Sequence, residues 1–430
     1  MSRAMKDSGI PWLGEIPKEW GTMKIKQIMR KKSIKDFPNE IVLSLYRDYG
    51  VVPKDSRDDN HNVTSEDTSN YKLVDIGDFV INKMKAWQGS MAVSQYRGII
   101  SPAYYICQFK KEDVEKKYIH YLLRNDSYKT EYMRLSTGLR VGQWDLNIED
   151  FLCIPMVLPP LSEQQRIAEF LDRKCGEIDE AIALQEDFIE ELKAYKQSVI
   201  TEAVTRGLNP NVKFKDSGID WIGKIPQGWE VCRMKDVASL FGRIGFRGYS
   251  SDDLNKEGIG AITLSPSNMK SMVMDYSNVT YLSWEKYKES PEIMIKNGDL
   301  LMVKTGSSYG KVSLVKNLPR EATINPQILR IVPKVNSNYL GFYLQTSLFI
   351  DQVEIGVVGG TIPTISQEKV NNMFVIFPPN IEQHQIADYL DNKCTEIDNL
   401  IAIKQQKIEE LKDYKKSIIY EYVTGKKEVE

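Results

Sequence analysis

Two segments of the chain carry apolar residues at alternating steps of four and three. The first series is Leu171, Cys175, Ile178, Ile182, Ile189, Leu192, Val199 and Ala203, and the second is Leu390, Cys394, Ile397, Ile401, Ile408, Leu411, Ile418 and Tyr422. Polar residues fill the same two steps in both series, at Gln185 and Lys196 and at Lys404 and Lys415. A 3.5-residue repeat of this kind indicates helices that pack on other helices.

The first of these helices has a clear predicted start. Pro159 and Pro160 cannot lie inside a helix, and Ser162 follows them as a candidate N-cap with Gln165 as its capping-box partner. From Ser162 to Thr205 the helix would be about 65 Å long at about 1.5 Å per residue. Such a length is typical of a spacer between domains.

The rest of the chain has shorter apolar patterns. Short β-rich runs lie at 41–46, 78–81, 300–303 and 328–332, and short helical patterns lie at 117–124 and 339–345. Glycine and asparagine separate them. These patterns predict a mixed α/β domain of about 140–150 residues in each half of the chain.

The chain contains two internal duplications. Residues 6–20 return as 215–229 with 10 of 15 positions identical, and residues 159–205 return as 378–424 with 27 of 47 identical at a constant offset of 219. Between them the halves share only fragments, namely Gly77-Asp78 with Gly298-Asp299, Gly89 with Gly310, and Ile100-Ser101-Pro102 with Ile324-Asn325-Pro326. Two copies of one fold with different surfaces would give this pattern.

The duplications define five predicted segments. Residues 1–157 form a first variable domain, 158–206 a first spacer helix, 207–377 a second variable domain, 378–425 a second spacer helix, and 426–430 a tail. The first copied segment, GIxWxGxIPxxW, is expected to be a structural clasp, with Trp12 and Trp221 buried where the halves join.

Charge separates the same segments. Residues 161–206 and 380–425 together carry 12 basic and 20 acidic residues, so the rest of a chain of net charge −2 carries +6. The variable domains are therefore mildly basic. No run approaches the roughly 20 apolar residues of a membrane span, and no secretory signal is evident, so a cytoplasmic protein without membrane contact is expected.

Few residues suggest catalysis. The five cysteines and three histidines are scattered without metal-ligand spacing. Residues 306–311, GSSYGK, have three residues between their glycines where a phosphate loop needs four, and 325–328, NPQI, lack the second proline and the aromatic residue of an amino-methyltransferase motif. No catalytic residue, metal site or bound cofactor is expected in this chain.

Two motifs carry a family resemblance. The segment from Ser8 to Pro17, echoed from Ser217, and the segment LPPLSEQQRIA from Leu158, echoed as FPP and EQ from Phe377, resemble those of the specificity subunits of type I restriction–modification enzymes. The resemblance covers nearly the whole chain. It implies two target-recognition domains separated by two long antiparallel helices, related by an internal pseudo-two-fold axis.

The resemblance also implies the partners. Two methylation subunits would dock on the helices and two restriction (translocase) subunits would join them, and these partners would hold S-adenosylmethionine, ATP and magnesium. This chain would recognise the target sequence in double-stranded DNA and direct the partner subunits to it. Two different readers on a rigid spacer predict an asymmetric target of two short parts separated by uncontacted base pairs.

Candidate DNA contacts are cations for phosphates and polar or aromatic side chains for bases, placed in loops. In the first domain these are Arg47, Tyr49, Lys83, Lys85, Trp87, Gln88, Arg140, Gln143 and Trp144. In the second they are Arg243, Arg247, Tyr249, Lys304, Thr305, Ser307, Ser308, Tyr309 and Lys311. Their alternative role is that of core aromatics and solvated cations.

The helices carry two further sets. The residues expected to pack helix on helix are Leu171, Ile178, Ile182, Ile189, Leu192, Leu390, Ile397, Ile401, Ile408 and Leu411. The acidic residues expected to meet a methylation subunit are Glu177, Glu186, Asp187 and Glu190, although a run of charges can equally be a solvated face. A non-enzymatic coiled-coil tether or adaptor, with end domains that bind protein, is the alternative function.

Overall fold

The computed structural model describes residues 3–57, 64–65, 67–138, 144–359 and 362–429. The chain forms two compact units: unit 1 is Met1–Glu186 with Gln405–Glu430, and unit 2 is Asp187–Lys404. Each unit therefore contains one variable domain and one part of each long helix. In the described ranges, no helix is both long and apolar enough to cross a bilayer.

Unit 1 is built mainly from short strands. They are β1 Met5–Asp7, β2 Glu15–Pro17, β3 Gly21–Lys24, β4 Met29–Lys32, β5 Leu43–Tyr46, β6 Gly50–Pro53, β7 Lys72–Val74, β8 Phe79–Asn82, β9 Met91–Val93, β10 Gly98–Ile100, β11 Tyr104–Phe109, β12 Ser136–Thr137, β13 Asp145–Leu146 and β14 Pro155–Leu158. The helices are α1 Lys116–Arg124, α2 Asp126–Leu135, α3 Ile148–Cys153 and the long α4 Leu161–Arg206, which continues into unit 2. The central antiparallel sheet has the order β4-β11-β8-β9.

Unit 2 repeats this plan with additions. Its strands are β15 Phe214–Asp216, β16 Lys224–Pro226, β17 Glu230–Arg233, β18 Ala238–Gly242, β19 Leu254–Asn255, β20 Ala261–Leu264, β21 Met269–Lys270, β22 Val273–Met274, β23 Thr280–Leu282, β24 Leu300–Val303, β25 Val312–Leu314, β26 Ala322–Ile324, β27 Ile328–Pro333 and β28 Phe374–Phe377. Its helices are α5 Met234–Val237, α6 Trp284–Lys288, α7 Ser337–Tyr343, α8 Ser347–Gly356, α9 Gln367–Asn371 and the long α10 Asn380–Val423. The central sheet is β18-β27-β24-β25, and a second sheet has the order β19-β23-β20-β26.

The fragments shared by the halves mark equivalent turns. Gly77 and Gly298 precede β8 and β24 with φ of +88° and +92°, and Gly89 and Gly310 follow these strands with φ of +79° and +81°. Such left-handed backbone favours glycine over any residue with a Cβ. The two central sheets therefore begin and end their middle strands in the same way, which confirms the predicted mixed α/β fold in two copies.

The long helices pack on each other within each unit. In unit 1 the rings of Phe170 and Tyr422 lie 4.3 Å apart, and Lys415 binds Asp179 at 2.6 Å. In unit 2 the Lys404 ammonium lies 4.8 Å from the Phe188 ring centre and Lys196 binds Asp398 at 2.7 Å. Rising numbers on α4 meet falling numbers on α10, so the segments are antiparallel in both units. All ten residues of the predicted packing stripe are buried or half-buried.

The N-cap of α4 lies two residues before the predicted one. The helix begins at Leu161, so Ser162 lies inside the first turn and is not the N-cap. The amides of Glu163 and Gln164 instead bond to the carbonyl of Pro160, at 2.9 and 3.0 Å. Pro160 therefore occupies the N-cap position, and its carbonyl accepts the first hydrogen bonds of the helix.

Glu163 and Gln164 fasten the helix to the domain. Trp20 Nε1 donates to Glu163 at 3.0 Å, Gln164 Nε2 donates to the carbonyl of Pro159 at 2.8 Å, and Gln164 Oε1 accepts from the amide of Glu115 at 2.9 Å. These bonds are buried or partly buried, where a lost partner is costly.

The same fastening occurs in unit 2. Trp229 Nε1 donates to Glu382 at 2.9 Å, and Gln383 donates to Pro378 at 2.8 Å and accepts from Asn336 at 3.1 Å. The duplicated Pro-Pro and Glu-Gln motif is therefore a structural joint between domain and helix.

The tryptophans of the first duplication are placed differently from the prediction. Trp221 is 48% exposed and Trp12 is half-buried, whereas Trp20 and Trp229 are 0% and 1% exposed. The prediction that Trp12 and Trp221 are the buried pair is wrong, because the later tryptophan of each copy reaches the carboxylate at the helix start. Periodicity cannot reveal that hydrogen bond.

Candidate nucleic-acid interface

The turn that follows β8 holds four of the candidate residues of unit 1. The amide of Lys83 donates to the carbonyl of Ala103 at 3.3 Å, and the amide of Leu146 donates to the carbonyl of Lys83 at 3.0 Å. The turn from Lys83 to Gln88 is thus held between the start of β11 and β13. Lys85 is exposed, and Lys83, Trp87 and Gln88 are half-buried.

An aromatic pair joins this turn to the segment before β13. The rings of Trp87 and Trp144 lie 5.2 Å apart at 63°, an edge-on packing, and Lys83 Nζ lies 3.9 Å from Asp145. Trp87 Nε1 is buried and has no acceptor among the described residues. The structure therefore brings together Lys83, Trp87 and Trp144, while Arg140 and Gln143 lie outside the described residues.

Arg47 and Tyr49 lie in a separate turn, between β5 and β6. Their side chains are well exposed, and the guanidinium of Arg57 lies 3.9 Å from the centre of the Tyr49 ring. The carbonyl of Arg47 accepts a hydrogen bond from Arg124. This turn is a second exposed element of unit 1 with a cation and an aromatic ring at its tip.

The turn after β24 is the counterpart in unit 2. The amide of Lys304 donates to the carbonyl of Gln327 at 2.8 Å, and the amide of Ile365 donates to the carbonyl of Lys304 at 2.9 Å. These two bonds match those of Lys83. Ser307 and Ser308 are exposed, Tyr309 and Lys311 are half-buried, and Thr364 Oγ1 lies 3.4 Å from Thr305 Oγ1.

Lys304 has an unusual environment. Burial alone lowers the pKa of its ammonium, and a Cβ placed on Gly242 would lie 3.3 Å from its Nζ and 3.5 Å from Gln367 Oε1. Gln367 also donates to the carbonyl of Leu240 at 2.8 Å. Gln367 was missed by sequence reasoning, because only the fold places the start of α9 beside the end of β18.

The glycine-rich segment 241–249 of unit 2, FGRIGFRGY, contains a buried arginine. Arg243 is 5% exposed, and its guanidinium donates to the carbonyls of Ile324 (3.1 Å) and Arg247 (3.3 Å) and to Thr323 Oγ1 (3.0 Å). Its nitrogens are thus committed to the protein, which counts against the expected contact of Arg243 with DNA. Composition suggested a flexible loop, but these three acceptors fix the side chain in the core.

Two other candidates of this loop are more accessible. The Arg247 side chain is 38% exposed and lies 3.5 Å from Glu292, and Tyr249 is half-buried with the Arg243 guanidinium 5.2 Å from its ring centre. Both remain candidates for contact with a ligand.

The acidic candidates on α4 face outward. Glu177, Glu186, Asp187 and Glu190 are all exposed. Glu177 binds Lys174 at 2.6 Å and Glu190 binds Lys193 at 2.8 Å, both within the helix. Local pairs of this kind contribute little to stability and leave the face open. In the described ranges no three His, Cys, Asp or Glu residues form a cluster that could hold a metal ion.

Comparisons with known proteins agree with the resemblance seen in the motifs. The model of the type I restriction modification DNA specificity domain matches residues 17–194 and again 226–413. The type I restriction enzyme MjaVIII specificity subunit of Methanocaldococcus jannaschii is 26% identical over 350 residues, covering 79% of this chain and 77% of that protein. The putative MjaX specificity subunit of the same organism is 25% identical over 434 residues, covering 96% and 95%.

Solved structures show the same fold. A chain from a study of complex assembly and conformational transition of the type I R-M system aligns with a TM-score of 0.71 at 17% identity, covering 95% of this chain and 99% of that one. The HsdS subunit from Thermoanaerobacter tengcongensis aligns with a TM-score of 0.53 at 17% identity, covering 95% and 98%.

Proposed function

This chain belongs to the family of type I restriction–modification DNA specificity subunits, and from that premise we propose how it addresses its partners to DNA. Each unit reads one part of an asymmetric, two-part target in double-stranded DNA. The observation that carries this proposal is the pair of turns at Lys83–Gly89 and Lys304–Gly310. They share backbone bonds, yet their residues differ at five of seven positions.

The two turns offer different chemistry to bases. In unit 1, Lys83, Lys85 and Gln88 supply donors and an acceptor beside the Trp87–Trp144 pair. In unit 2, Lys304, Thr305, Ser307, Ser308 and Gln367 supply an ammonium, hydroxyls and an amide. Amide and ammonium groups bind base edges in the major groove, and different sets select different bases. The two parts of the target should therefore differ.

We assign no reaction step to this chain. Adenine methylation and restriction belong in this proposal to two methylation subunits and two restriction subunits, which bring S-adenosylmethionine, ATP and magnesium. The purified chain should therefore transfer no methyl group to DNA with S-adenosylmethionine and cut no DNA with magnesium. Activity of the single chain in either assay would contradict this assignment.

The long helices supply the docking surface for the methylation subunits. On α4 in unit 1, Leu184 is 53% exposed and lies seven residues after Glu177, and on α4 in unit 2, Phe188 and Tyr195 are 40% and 52% exposed and also lie seven residues apart, a spacing that places each pair on one face. On α10, Ile403 and Tyr414 are 63% and 57% exposed and occupy the positions equivalent to Leu184 and Tyr195 at the offset of 219. Exposed apolar side chains kept in both copies support two equivalent docking sites.

Docking can be tested by the stoichiometry of the purified complex. Tyr195→Asp should reduce the number of bound methylation subunits from two to one, and Tyr195→Asp with Tyr414→Asp should abolish binding. The exposed Lys412 lies on another face of α10, so Lys412→Asp is a matched control that should retain both subunits. Unchanged stoichiometry in the double variant would refute this surface.

The function itself is tested by co-expression with the neighbouring methylation subunit and sequencing of methylated adenine in host DNA. An asymmetric two-part motif that disappears when this chain is deleted supports the proposal. Methylation that persists unchanged without this chain would contradict it. The family match favours this function over a coiled-coil tether or adaptor.

A further inference from the structure

Lys31, Lys72 and Lys83 of unit 1 lie around the corner where β11 begins, and Lys35 lies close to Lys72, because the amide of Leu73 donates to the carbonyl of Ile34 at 2.8 Å and Lys35 Nζ donates to Asn70 at 3.3 Å. The ammonium groups of Lys31 and Lys72 lie 5.8 and 5.6 Å from the centre of the same ring, that of Tyr105. Lys72 Nζ also donates to the carbonyls of Pro102 (3.0 Å) and Tyr104 (2.6 Å). The backbone of Lys83 bonds to Ala103 at this corner.

The corner has an excess of positive charge. Burial lowers the pKa of the Lys72 ammonium, and the neighbouring charges of Lys83, Lys31 and Lys35 lower it further. Among the residues that the structure describes, Lys31, Lys35 and Lys72 form no ion pair with a carboxylate, and Lys83 reaches Asp145 at 3.9 Å. Among the described residues a single carboxylate lies within 4 Å of these four ammonium groups, so they repel one another, and a bound anion would relieve that repulsion.

Some other cations of unit 1 form ion pairs with carboxylates. Lys32 binds Asp78 at 2.5 Å and Asp75 at 2.6 Å, and Arg97 binds Glu40 at 2.8 Å. Unit 1 thus contains ion-paired cations as well as lysines, such as Lys31, Lys35 and Lys72, that have no carboxylate partner among the described residues. Lys31 and Lys35 are exposed and Lys72 is half-buried beside them.

Unit 2 lacks this arrangement at the equivalent corner. In the paired strands, Leu240 stands opposite Ile331 as Lys31 stands opposite Cys107, and Leu329 takes the place of Tyr105. Of the four lysines, only Lys83 has a lysine at the equivalent position of unit 2, namely Lys304, whose backbone makes the same two hydrogen bonds. A structural requirement of the shared fold would have placed the cluster in both units.

We propose that Lys31, Lys35 and Lys72 form a phosphate-binding patch of unit 1 that holds the DNA backbone beside the reading turn at Lys83–Gln88. This inference rests on the proposed function. The patch carries affinity without base preference, because phosphates are the same in every sequence. The corner of unit 1 should therefore contribute more to the salt dependence of DNA binding than the equivalent corner of unit 2, which lacks these lysines.

The test uses the complex of this chain with its methylation subunits and a duplex that carries the methylated motif. A variant with Lys31→Ala, Lys35→Ala and Lys72→Ala should bind more weakly, and the slope of log affinity against log salt should fall by about 0.9 for each phosphate that the patch no longer neutralises. The methylated motif should stay unchanged. Fluorescence anisotropy over a range of salt concentrations measures the slope.

A matched control removes three lysines elsewhere in unit 1. Lys24, Lys26 and Lys110 are exposed, and Lys110 lies just beyond the far end of β11. Changing these three to alanine removes the same charge and should leave the slope within experimental error of the wild type. If the control lowers the slope as much as the patch variant, general charge explains the effect and the patch is refuted.

Two further outcomes are distinguishable. A wild-type complex that binds its motif with a slope that the patch variant keeps would refute the patch and leave the proposed function intact. A wild-type complex without a two-part motif would refute the proposed function itself. Lys31→Ala and Lys35→Ala alone change only exposed side chains, so their slopes give the answer if the triple variant is unstable.

Discussion

The central sheet of each unit contains a buried aspartate paired with a cation, but the cation comes from a different strand in each unit. In unit 1, Lys32 on β4 binds Asp78, and in unit 2, Arg330 on β27 binds Asp299 at 2.7 Å. All four side chains are less than a tenth exposed. Asp78 and Asp299 are equivalent, since each follows the left-handed glycine before the middle strand.

The two cations lie on different strands of the equivalent strand pair. Lys32 pairs with Ile106 across β4 and β11, whereas Phe241 pairs with Arg330 across β18 and β27. The cation and its apolar partner have thus exchanged strands between the copies. The fold needs a positive charge at a place in space, and either strand can supply it. The turns at Lys83–Gly89 and Lys304–Gly310, in contrast, keep their backbone bonds but differ in most of their side chains.

The largest expected effect on stability comes from removing the buried cation of unit 1. Lys32→Phe alone leaves Asp78 buried without its cation and should lower the free energy of unfolding by about 3–5 kcal/mol. Lys32→Phe with Ile106→Arg rebuilds the arrangement of unit 2 and should recover most of that loss. Urea denaturation of the three proteins checks this, and a double variant no more stable than the single one would show that the strands are not interchangeable.

A second difference between the units is a histidine. His120 in unit 1 accepts from the amide of Val93 at 3.2 Å, and burial together with the nearby Arg124 lowers its pKa to about 3. Gly341 holds the equivalent place in unit 2, because it lies at the same offset of 221 that relates Glu115 to Asn336, whose amides both donate to the glutamine at the start of a long helix. The unfolded histidine binds its proton near its ordinary pKa of about 6.5, and the folded one does not.

The contribution of the neutral His120 to the free energy of unfolding should therefore be fully present above about pH 6.5 and be lost as the pH is lowered from there. The loss between pH 7 and pH 5 should be about 2 kcal/mol, because one pKa unit corresponds to about 1.4 kcal/mol. His120→Gln should flatten this part of the profile. Thermal denaturation at both pH values measures it, and an equal slope in the variant would assign the pH dependence to other groups.

The joints at the helix starts should differ in strength. Trp229→Phe removes the donor to Glu382 in unit 2, while Trp20→Phe in unit 1 leaves Glu163 bound to Arg3. The expected cost is about 1–2 kcal/mol for Trp229→Phe and less for Trp20→Phe. Melting temperatures of the two variants test the order, and a larger loss for Trp20→Phe would reverse it.

The smallest effect concerns the exposed pairs between the long helices. Asp179–Lys415 and Lys196–Asp398 are the same residue types exchanged between α4 and α10. Neutralising either pair should change the stability by less than about 1 kcal/mol. Equal small losses of stability for Lys415→Met and Lys196→Met, measured by urea denaturation, would confirm that the two ion pairs are equivalent. A large loss for one variant alone would show that they are not.

Much of the scaffold follows from repeats and periodicity. The apolar stripe from Leu171 indicates the helix packing, and the shared Gly77 and Gly89 mark turns because left-handed backbone restricts residue choice. Long-range hydrogen bonds leave no such local pattern. The burial of Arg243, the joint at Trp20 and the corner around Tyr105 therefore became visible only once the strands were placed side by side.

The candidate site was predicted in outline only. The glycines shared by the halves, Gly89 and Gly310, mark the equivalent turns that contain Lys83 and Lys304, because each turn follows a middle strand of its sheet. Lys72 and Gln367 were missed, since each reaches its turn from another strand or helix. Composition alone cannot distinguish a cation bound in the core, such as Arg243, from one that faces a ligand.

The central claim is that each unit reads its own part of the target. It is tested most directly by sequencing methylated adenine in cells that express the complex with Lys85→Ala and Gln88→Ala, or with Ser307→Ala and Ser308→Ala. The first variant should change or relax one part of the motif and the second variant only the other part. If both variants alter the same part, or both parts at once, the two units do not read separately.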